Sequence, residues 1–303
     1  MLRRCLAGVA GVAGLPLALR AGDDQRFRLR YIVASSMYGT MPLETILPEV
    51  RRTGSEWIDI WPRRHGNQRE QIEEMGEERF LALLDKHGVH TGILTHYNLG
   101  PFRLKEAFPE AERWGAKLLI SNSRGLRGLK GEELKTEVRS FAEAMRPHVA
   151  EAEERGLTLG IENHGSSLVN SPDSIKWLLE FIDSPGLGIA LAPYHLPQDA
   201  EALGELIEVL GERLVHFYAW EHGMGSTGEL SVEEQLLQLP GRGPLDFGPM
   251  VGALARINYQ GWTSVFMHPI PRGVPIKPTA SEVTGAINRS REYLDDLAAR
   301  AGH

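Results

Sequence analysis

The stretch GLTLGIENHGSSLVNSPDSIKWLLEF, residues 156–181, contains the repeating unit that decides the fold. It begins with an apolar run, Leu157–Glu162, which has the length and composition of a buried strand. A polar loop follows, and Ser171-Pro172 then marks the start of a helix, because serine caps free backbone N–H groups and proline fits the first helical position. The stretch therefore predicts one strand followed by one crossover helix.

The same alternation of apolar strand and amphipathic helix continues along most of the chain. The predicted strands are Leu29–Ala34, Trp57–Trp61, Thr91–Thr95, Lys117–Ser121, Leu157–Glu162, Leu187–Leu191, Leu214–Trp220 and Trp262–His268. The predicted helices are Leu43–Thr53, Gln68–His87, Arg103–Trp114, Gly131–Arg155, Pro172–Phe181, Asp199–Leu210, Phe247–Ile257 and Ser281–Ala299. Glycines that favour a left-handed helix end precede the strands at Gly54, Gly88, Gly115, Gly156, Gly211 and Gly261.

Eight such units predict an α/β protein with a single (β/α)8 TIM barrel over residues 22–303. A doubly wound open sheet is the alternative, but no Gly-x-Gly-x-x-Gly motif follows the first strand. The 303 residues are 42% hydrophobic and 24% charged, which is ordinary for a globular chain. The formal net charge is -7, and no basic block is present, so we expect no nucleic-acid partner. No apolar run is long enough for stable membrane insertion.

Residues 1–21 predict an export signal that precedes the barrel. The pair Arg3-Arg4 stands before the apolar stretch Cys5–Leu19, a pattern typical of secretory signals and compatible with twin-arginine export. The protein is therefore expected to be exported or periplasmic; a wrongly assigned start of a cytoplasmic protein and a short membrane tether are the alternatives. Cys5 is the only cysteine, so the rest of the chain has no thiolate nucleophile and no disulfide.

Polar and aromatic residues cluster where the predicted strands end, which is where TIM barrels carry their chemistry. Five of the 11 histidines lie at strand ends. Aromatic rings and arginines at the same ends suit a hydroxyl-rich ligand. The predicted substrate-binding residues are Trp61, Arg63, His65, His96, Arg124, Tyr194, Tyr218, Trp220, Glu221, His222 and Arg272.

Glu162 is the most informative single residue, because a carboxylate at the end of an apolar strand is costly to bury alone. His164 lies two residues later on the same face of the strand. We predict Glu162, His164 and His195 as catalytic residues, and Glu162, His195 and His268 as ligands if a metal is bound. An ion pair between Glu162 and an arginine that closes the barrel rim is the alternative. The glycine-rich segment Leu239–Phe247 predicts either an anion-binding loop or a plain turn.

These motifs resemble those of the xylose isomerase-like TIM barrels, the sugar phosphate isomerases and epimerases. The matching features are Gly-Ile-Glu162-Asn-His, Pro-Tyr-His195, Val-His-Phe-Tyr218 and Pro-Gly-Arg-Gly-Pro-Leu-Asp246-Phe. The resemblance implies a divalent metal such as Zn²⁺, Mn²⁺ or Fe²⁺, held by Glu, Asp, His and Glu on strands five to eight. In this chain Glu162 occupies the first position, Ala192 the second and Tyr218 the third, and the fourth falls at or beside His268.

The expected function is that of an enzyme that abstracts a proton next to the carbonyl of a carbohydrate. Isomerisation, epimerisation and elimination by a lyase or hydratase share this step. A sugar-binding barrel without catalysis, whose metal site has degraded, is the alternative from another class. A nuclease is disfavoured by the negative charge. A homo-oligomer is left open.

Overall fold

A computed structural model describes residues 26–301 and forms one parallel α/β barrel. The expected export signal, residues 1–21, lies outside the described residues. Nine strands form the sheet: β1 (Arg30–Tyr31), β2 (Val33–Ala34), β3 (Trp57–Ile60), β4 (His90–Thr95), β5 (Leu118–Asn122), β6 (Thr158–Glu162), β7 (Leu187–Leu191), β8 (Leu214–Ala219) and β9 (Trp262–Val265). The predicted TIM barrel is confirmed, with the first predicted strand divided in two.

The barrel closes at that divided strand. β1 pairs with β9 and β2 pairs with β3, while the intervening Ile32 donates its backbone N–H to Thr263 O at 3.0 Å. All eight strand pairs of the ladder are parallel. The carboxyl ends of the strands therefore meet at one mouth, and the loops that follow them surround that mouth.

Ten α-helices accompany the strands over the described part of the chain. They are α1 (Leu43–Arg52), α2 (Gln68–Met75), α3 (Glu77–His87), α4 (Phe108–Trp114), α5 (Gly131–Glu154), α6 (Pro172–Phe181), α7 (Ala200–Leu210), α8 (Val232–Gln235), α9 (Gly248–Arg256) and α10 (Ala280–Ala301). The predicted helix Gln68–His87 is broken at Gly76, whose φ of 86° does not continue a right-handed helix. The predicted helix Arg103–Trp114 begins instead as 3₁₀ turns over Pro101–Ala107.

Local sequence signals explain most helix ends. Ser171 and Ser174 form the reciprocal cap at the start of α6. Five of the six predicted glycine ends have positive φ, between 50° and 78°. Gly261 was expected to be the sixth, and that expectation is wrong: after α9 the left-handed residue is Asn258, with φ 49°. Asparagine tolerates this conformation because its short polar side chain can bond locally.

The core consists of apolar strand residues and the inner faces of the surrounding helices. Ile93, Leu119, Leu159 and Ile189, from four neighbouring strands, are fully buried. The first residue of several strands is exposed or half-buried, whereas their carboxyl-terminal residues are buried beneath the loops. No helix among residues 26–301 has the length and apolar character needed to span a bilayer.

Candidate active site at the carboxyl mouth of the barrel

A pocket of about 400 Å³ opens at the carboxyl ends of the strands. Its lining residues are His65, Tyr97, Asn122, Glu162, His164, Gly165, Ser166, Tyr194, His195, Ser226, Thr227, His268 and Arg272. A larger cavity of about 510 Å³ lies at the amino ends of β5, β6, β8 and β9, and its lining contains no histidine. Lys117 and Glu212 are the charged residues of that second lining. The smaller pocket therefore carries the titratable groups from which a reaction can be built.

Glu162 and His195 are in direct contact in this pocket. Glu162 is the last residue of β6, and His195 follows β7 in a short 3₁₀ turn, so neighbouring strands position the two side chains. Glu162 Oε1 lies 3.7 Å from His195 Nε2. Glu162 Oε2 and His195 Nε2 are buried and form no hydrogen bond within residues 26–301. Two buried polar atoms without partners are expensive in a finished core, so they are available to a ligand.

The four pocket histidines are neutral imidazoles at physiological pH. Burial, reinforced by neighbouring positive groups, lowers the pKa of His65 to about 4 and that of His195 to about 3. Burial also lowers the pKa of His164 and, strongly, that of His268. A neutral imidazole has one nitrogen lone pair that can accept a proton.

Stacking and hydrogen bonds orient these rings. His65 and His268 stack with centroids 4.2 Å apart, and the rings of His164 and His195 lie 4.1 Å apart. The backbone N–H of Ser166 donates to His164 Nδ1 at 3.1 Å, so that nitrogen is unprotonated and the ring proton of the neutral form lies on Nε2.

Asp59 is a second buried acid near Glu162 that we did not predict. It lies on β3 and its Oδ2 accepts hydrogen bonds from Trp61 Nε1 at 2.6 Å and Thr95 Oγ1 at 2.9 Å. Burial raises the pKa of Asp59 to about 7, against the lowering effect of these bonds. Burial and the charge of Asp59 together raise the pKa of Glu162 well above its ordinary value. The sequence contained a signal for Asp59, because it is an acid within the apolar strand Trp-Ile-Asp-Ile, just as Glu162 is an acid at the end of its own apolar strand.

Arg272 is the cationic side chain of the lining. Its Nη1 donates to Pro269 O at 2.7 Å, and its Nη2 donates to Ser226 O at 3.1 Å and Ser226 Oγ at 2.9 Å. Ser226 in turn shares a hydrogen bond of 2.7 Å with the Tyr194 hydroxyl. The guanidinium thus ties the loop after β8 to the loop after β9 at the edge of the pocket.

Eight of the predicted substrate-binding residues do not line this pocket. They are Trp61, Arg63, His96, Arg124, Tyr218, Trp220, Glu221 and His222. Trp61 and Trp220 are buried beneath it, because burial removes the large apolar surface of each ring from water. Trp220 stacks on Tyr194 with centroids 4.0 Å apart, and His222 lies against the same ring.

The remaining side chains are held by other contacts. Arg124 donates to the carbonyls of Tyr97 and Asn98, while Arg63 is exposed. His96 bonds Asn98 at 3.2 Å. The hydroxyl of Tyr218 is buried without a hydrogen-bond partner in the described chain. His65, Tyr194 and Arg272 are the predicted substrate-binding residues that do line the pocket, together with Glu162, His164, His195 and His268.

The side chain of Glu221 packs against the backbone of the glycine-rich segment Leu239–Phe247, which explains why a glycine is needed there. Its buried Oε2 accepts the backbone N–H of Leu245 at 2.8 Å, so the group that this loop binds is a carboxyl of the protein itself. A Cβ at Gly243 would stand 2.3 Å from that oxygen, which only glycine avoids. Burial raises the pKa of Glu221 to about 7, although hydrogen bonds from the Leu245 and Gly243 backbone oppose the shift.

The residues present do not fit the four-ligand metal site that the resemblance implies. Ala192 has no donor side chain, and its backbone is bonded to Asn163 through N and O. Tyr218 offers a buried phenol where an imidazole was expected. Glu162, His195 and His268 share the pocket, but within residues 26–301 no three His, Cys, Asp or Glu side chains are grouped to hold a metal ion. Glu162, His195 and His268 are therefore placed as pocket residues, and their role as metal ligands stays a prediction.

Known protein structures share this architecture. The IolI protein with a bound zinc atom superposes with a TM-score of 0.69 at 16% identity, covering 90% of this chain and 99% of that one. A probable 3-DHS dehydratase, AsbF from Bacillus anthracis, gives 0.64 at 14% identity, covering 86% and 98%. A D-psicose 3-epimerase studied in the presence of D-fructose gives 0.66 at 12% identity, covering 89% and 100%.

At such low identities these similarities show the fold. No curated protein sequence matches the chain significantly. The sequence profile of the xylose isomerase-like TIM barrels matches residues 47–293, which is most of the chain. This match extends from α1 to α10 and includes every strand from β3 to β9, so it confirms the resemblance seen in the sequence motifs. The chain belongs to the xylose isomerase-like TIM barrel family.

Proposed function

We propose that this protein is a carbohydrate isomerase or epimerase that moves a proton at the carbon next to a carbonyl. The observation that carries the proposal is the contact between Glu162 and His195, 3.7 Å apart at the carboxyl mouth of the barrel. A carboxyl group and an imidazole at this distance can serve as a proton acceptor and a proton donor for one bound substrate. Both also have a buried polar atom without a partner in the described chain.

Isomerisation needs no group beyond this pair for its proton balance. One member accepts the carbon-bound proton, and the electron pair of the C–H bond forms the C=C bond of an enediol. The other member gives a proton to the carbonyl oxygen, which becomes a hydroxyl. The first member then gives its proton to the neighbouring carbon, and the second recovers a proton from the hydroxyl that becomes the new carbonyl. Epimerisation begins with the same step, but a second donor must deliver a proton to the opposite face of the carbon while the first member passes its proton to solvent. His164, whose ring lies against His195, is placed to orient it.

A lyase or hydratase on keto-sugars is the neighbouring alternative, because elimination begins with the same proton abstraction. The family neighbours named as an epimerase and a dehydratase support a family in which both outcomes occur. Identification of the product distinguishes a lyase or hydratase from an isomerase or epimerase, because the first step is the same in both.

Exchange of substrate hydrogen with D₂O tests the proposal. Free ketoses and aldoses are incubated with the protein, and ¹H NMR follows the signal of the hydrogen next to the carbonyl. We expect loss of that signal, and a loss at least about 100-fold slower in His195→Asn. His148→Asn, on the outer helix α5, is the matched control and is expected to keep the wild-type rate. If no member of the panel exchanges, the proposal is wrong.

We also predict that catalysis does not depend on a metal at the family position. Ala192 and Tyr218 remove two of the four expected donors, so a divalent ion is expected to bind weakly. Elemental analysis of protein purified without chelators should find well below one Zn, Mn or Fe per chain. One metal per chain, with exchange abolished by dialysis against EDTA, would contradict this prediction.

A sugar-binding barrel without catalysis is the second candidate, and the same two residues favour it. Alanine and tyrosine at metal-ligand positions are what a degraded metal site contains. The two candidates differ in one result: a binding protein changes its tryptophan fluorescence with sugar but catalyses no exchange.

A further inference from the structure

The segments that follow the carboxyl ends of the strands are basic, although the whole chain is acidic. Residues 35–42, 61–67, 96–100, 123–130, 163–171, 192–199, 220–231 and 266–279 make up these segments. Together they contain seven lysines and arginines against three acids, in a chain of net charge -7. One of the three acids, Glu221, is buried beneath the glycine-rich segment. These segments therefore carry a net positive formal charge, unlike the chain as a whole.

The arginines of this mouth are not neutralised by acidic partners. Arg63, Arg64, Arg124, Arg127 and Arg272 form no ion pair with any acidic side chain among residues 26–301. Glu70 accepts the backbone N–H of Arg63, not its guanidinium. The five arginines of the mouth therefore keep their positive charge without a neutralising carboxylate in the described part of the chain.

Arg272 carries that charge into the pocket itself. It is half-buried and lines the cavity, where the other basic side chains are neutral imidazoles. Three of the five N–H groups of a guanidinium are used by its bonds to Pro269 and Ser226, so two remain for a ligand. The two that remain, on Nε and Nη1, point to different edges of the guanidinium plane, so a carboxylate oxygen can accept one charge-assisted hydrogen bond at either edge.

We propose that the substrate is an acidic carbohydrate whose carboxylate pairs with Arg272 at the edge of the pocket. This inference rests on the proposed function, because it places the acidic end of the same substrate whose carbonyl end faces Glu162 and His195. The charges of Arg64 and Arg127 act on His65 and His164 of the pocket, so these arginines lie close enough to raise the rate at which an anion arrives. A phosphate would also be attracted to the mouth, and the 6-phosphates in the experiment below test for it.

Equilibrium binding, followed by isothermal calorimetry without turnover, tests the assignment. The probes are D-glucuronate and D-galacturonate, with D-glucose, D-galactose and their 6-phosphates as matched ligands that differ only at the sixth carbon. We expect at least one uronate to bind about tenfold or more tightly than its parent hexose and more tightly than the 6-phosphate. The preference should weaken with rising salt.

Variants locate the preference. Arg272→Gln should abolish the difference between uronate and hexose, whereas Arg113→Gln, which removes one exposed charge from an outer helix, should preserve it. Arg272→Lys keeps the charge but moves the donor and loses the bonds that hold the guanidinium in place, and it should bind the uronate with intermediate affinity. If Arg272→Gln does not fold, as judged by circular dichroism, the lysine variant supplies the test.

Each outcome bears on one claim. Equal binding of uronates and hexoses, absence of uronate binding, or an unchanged preference in the Arg272 variants overturns the carboxylate assignment. Tighter binding of a 6-phosphate also overturns it and assigns the anion as phosphate. Uronate binding without hydrogen exchange overturns the proposed function but supports the carboxylate assignment. Hydrogen exchange on neutral sugars without a preference for uronates supports the proposed function but overturns the carboxylate assignment.

Discussion

Replacement of Glu162 by glutamine is expected to slow proton exchange at least about 100-fold, the effect of losing a general acid or base. Glutamine keeps the shape of the side chain, but its amide neither holds nor accepts a proton in the physiological range. The contact with His195 Nε2, 3.7 Å in the wild type, can persist in the variant. The binding pocket should therefore survive while the reaction stops.

Stability separates this outcome from a structural role. The sequence left open an ion pair between Glu162 and a rim arginine, and the structure contradicts it, since the one basic side chain within ion-pair distance of Glu162 among residues 26–301 is the neutral imidazole of His195. Breaking a buried ion pair would cost about 3–5 kcal/mol. We instead expect the melting temperature of Glu162→Gln to equal or exceed that of the wild type, because a buried ionisable group is removed. Glu143→Gln, on the exposed face of α5, serves as the matched control in both measurements.

Exchange at the wild-type rate in Glu162→Gln would show that this carboxyl takes no part in proton transfer. A large fall in melting temperature with unchanged exchange would identify Glu162 as a structural residue. Either result would leave His195 and His164 as the remaining proton-transfer groups of the pocket.

The fold could be predicted from the sequence because strands buried on both faces read as short apolar runs. Leu187–Leu191 is an example: the predicted and observed strands coincide, and all five residues are buried. Helix ends were also readable where a chemical signal exists, as at Ser171. The end of the helix before β9 could not be assigned, because asparagine and glycine can both take the left-handed conformation there.

The site was only partly predictable, because strand alternation stops where a strand ends. Trp61 and Trp220 follow their strands, and the sequence does not say whether such rings point into the pocket or into the core beneath it. Both are buried, and the ring of Trp61 stacks on Phe266 at 5.1 Å. His195 and Arg272 were placed correctly at the mouth, but the hydrogen bonds that leave Arg272 two free donors depend on loops that no periodicity describes.

Glu221 illustrates the same limit. Its position after β8 predicted a substrate-binding side chain, yet it turns away from the pocket and binds the backbone of residues 243–245. Its Oε1 is buried without a hydrogen-bond partner in the described chain. A carboxyl in this environment holds its proton more tightly in the folded than in the unfolded protein. We therefore expect the stability of the protein to depend on pH through Glu221.

Glu221 is expected to lower the free energy of unfolding of the wild type by about 3 kcal/mol between pH 4.5 and pH 7, whereas the neutral pocket histidines act in the opposite direction. Burial raises the pKa of this group from 4.5 to about 7 in the folded protein. As the pH rises through the lower value, the unfolded chain releases the proton while the folded chain keeps it, so unfolding becomes more favourable. Above pH 7 both states are ionised, and this contribution no longer changes.

Glu221→Gln isolates this term, because the amide can still accept the Leu245 N–H but does not titrate. Urea denaturation from pH 4 to pH 8 measures the free energy of unfolding of both proteins. The difference between them should shift by about 3 kcal/mol in favour of the variant over this range. Any constant cost of burying the amide NH₂ group cancels in that shift. Glu229→Gln, exposed in the same loop, should run parallel to the wild type. A parallel curve for Glu221→Gln would mean that the loop backbone holds Glu221 as a carboxylate of ordinary pKa, with the Leu245 and Gly243 N–H groups outweighing its burial.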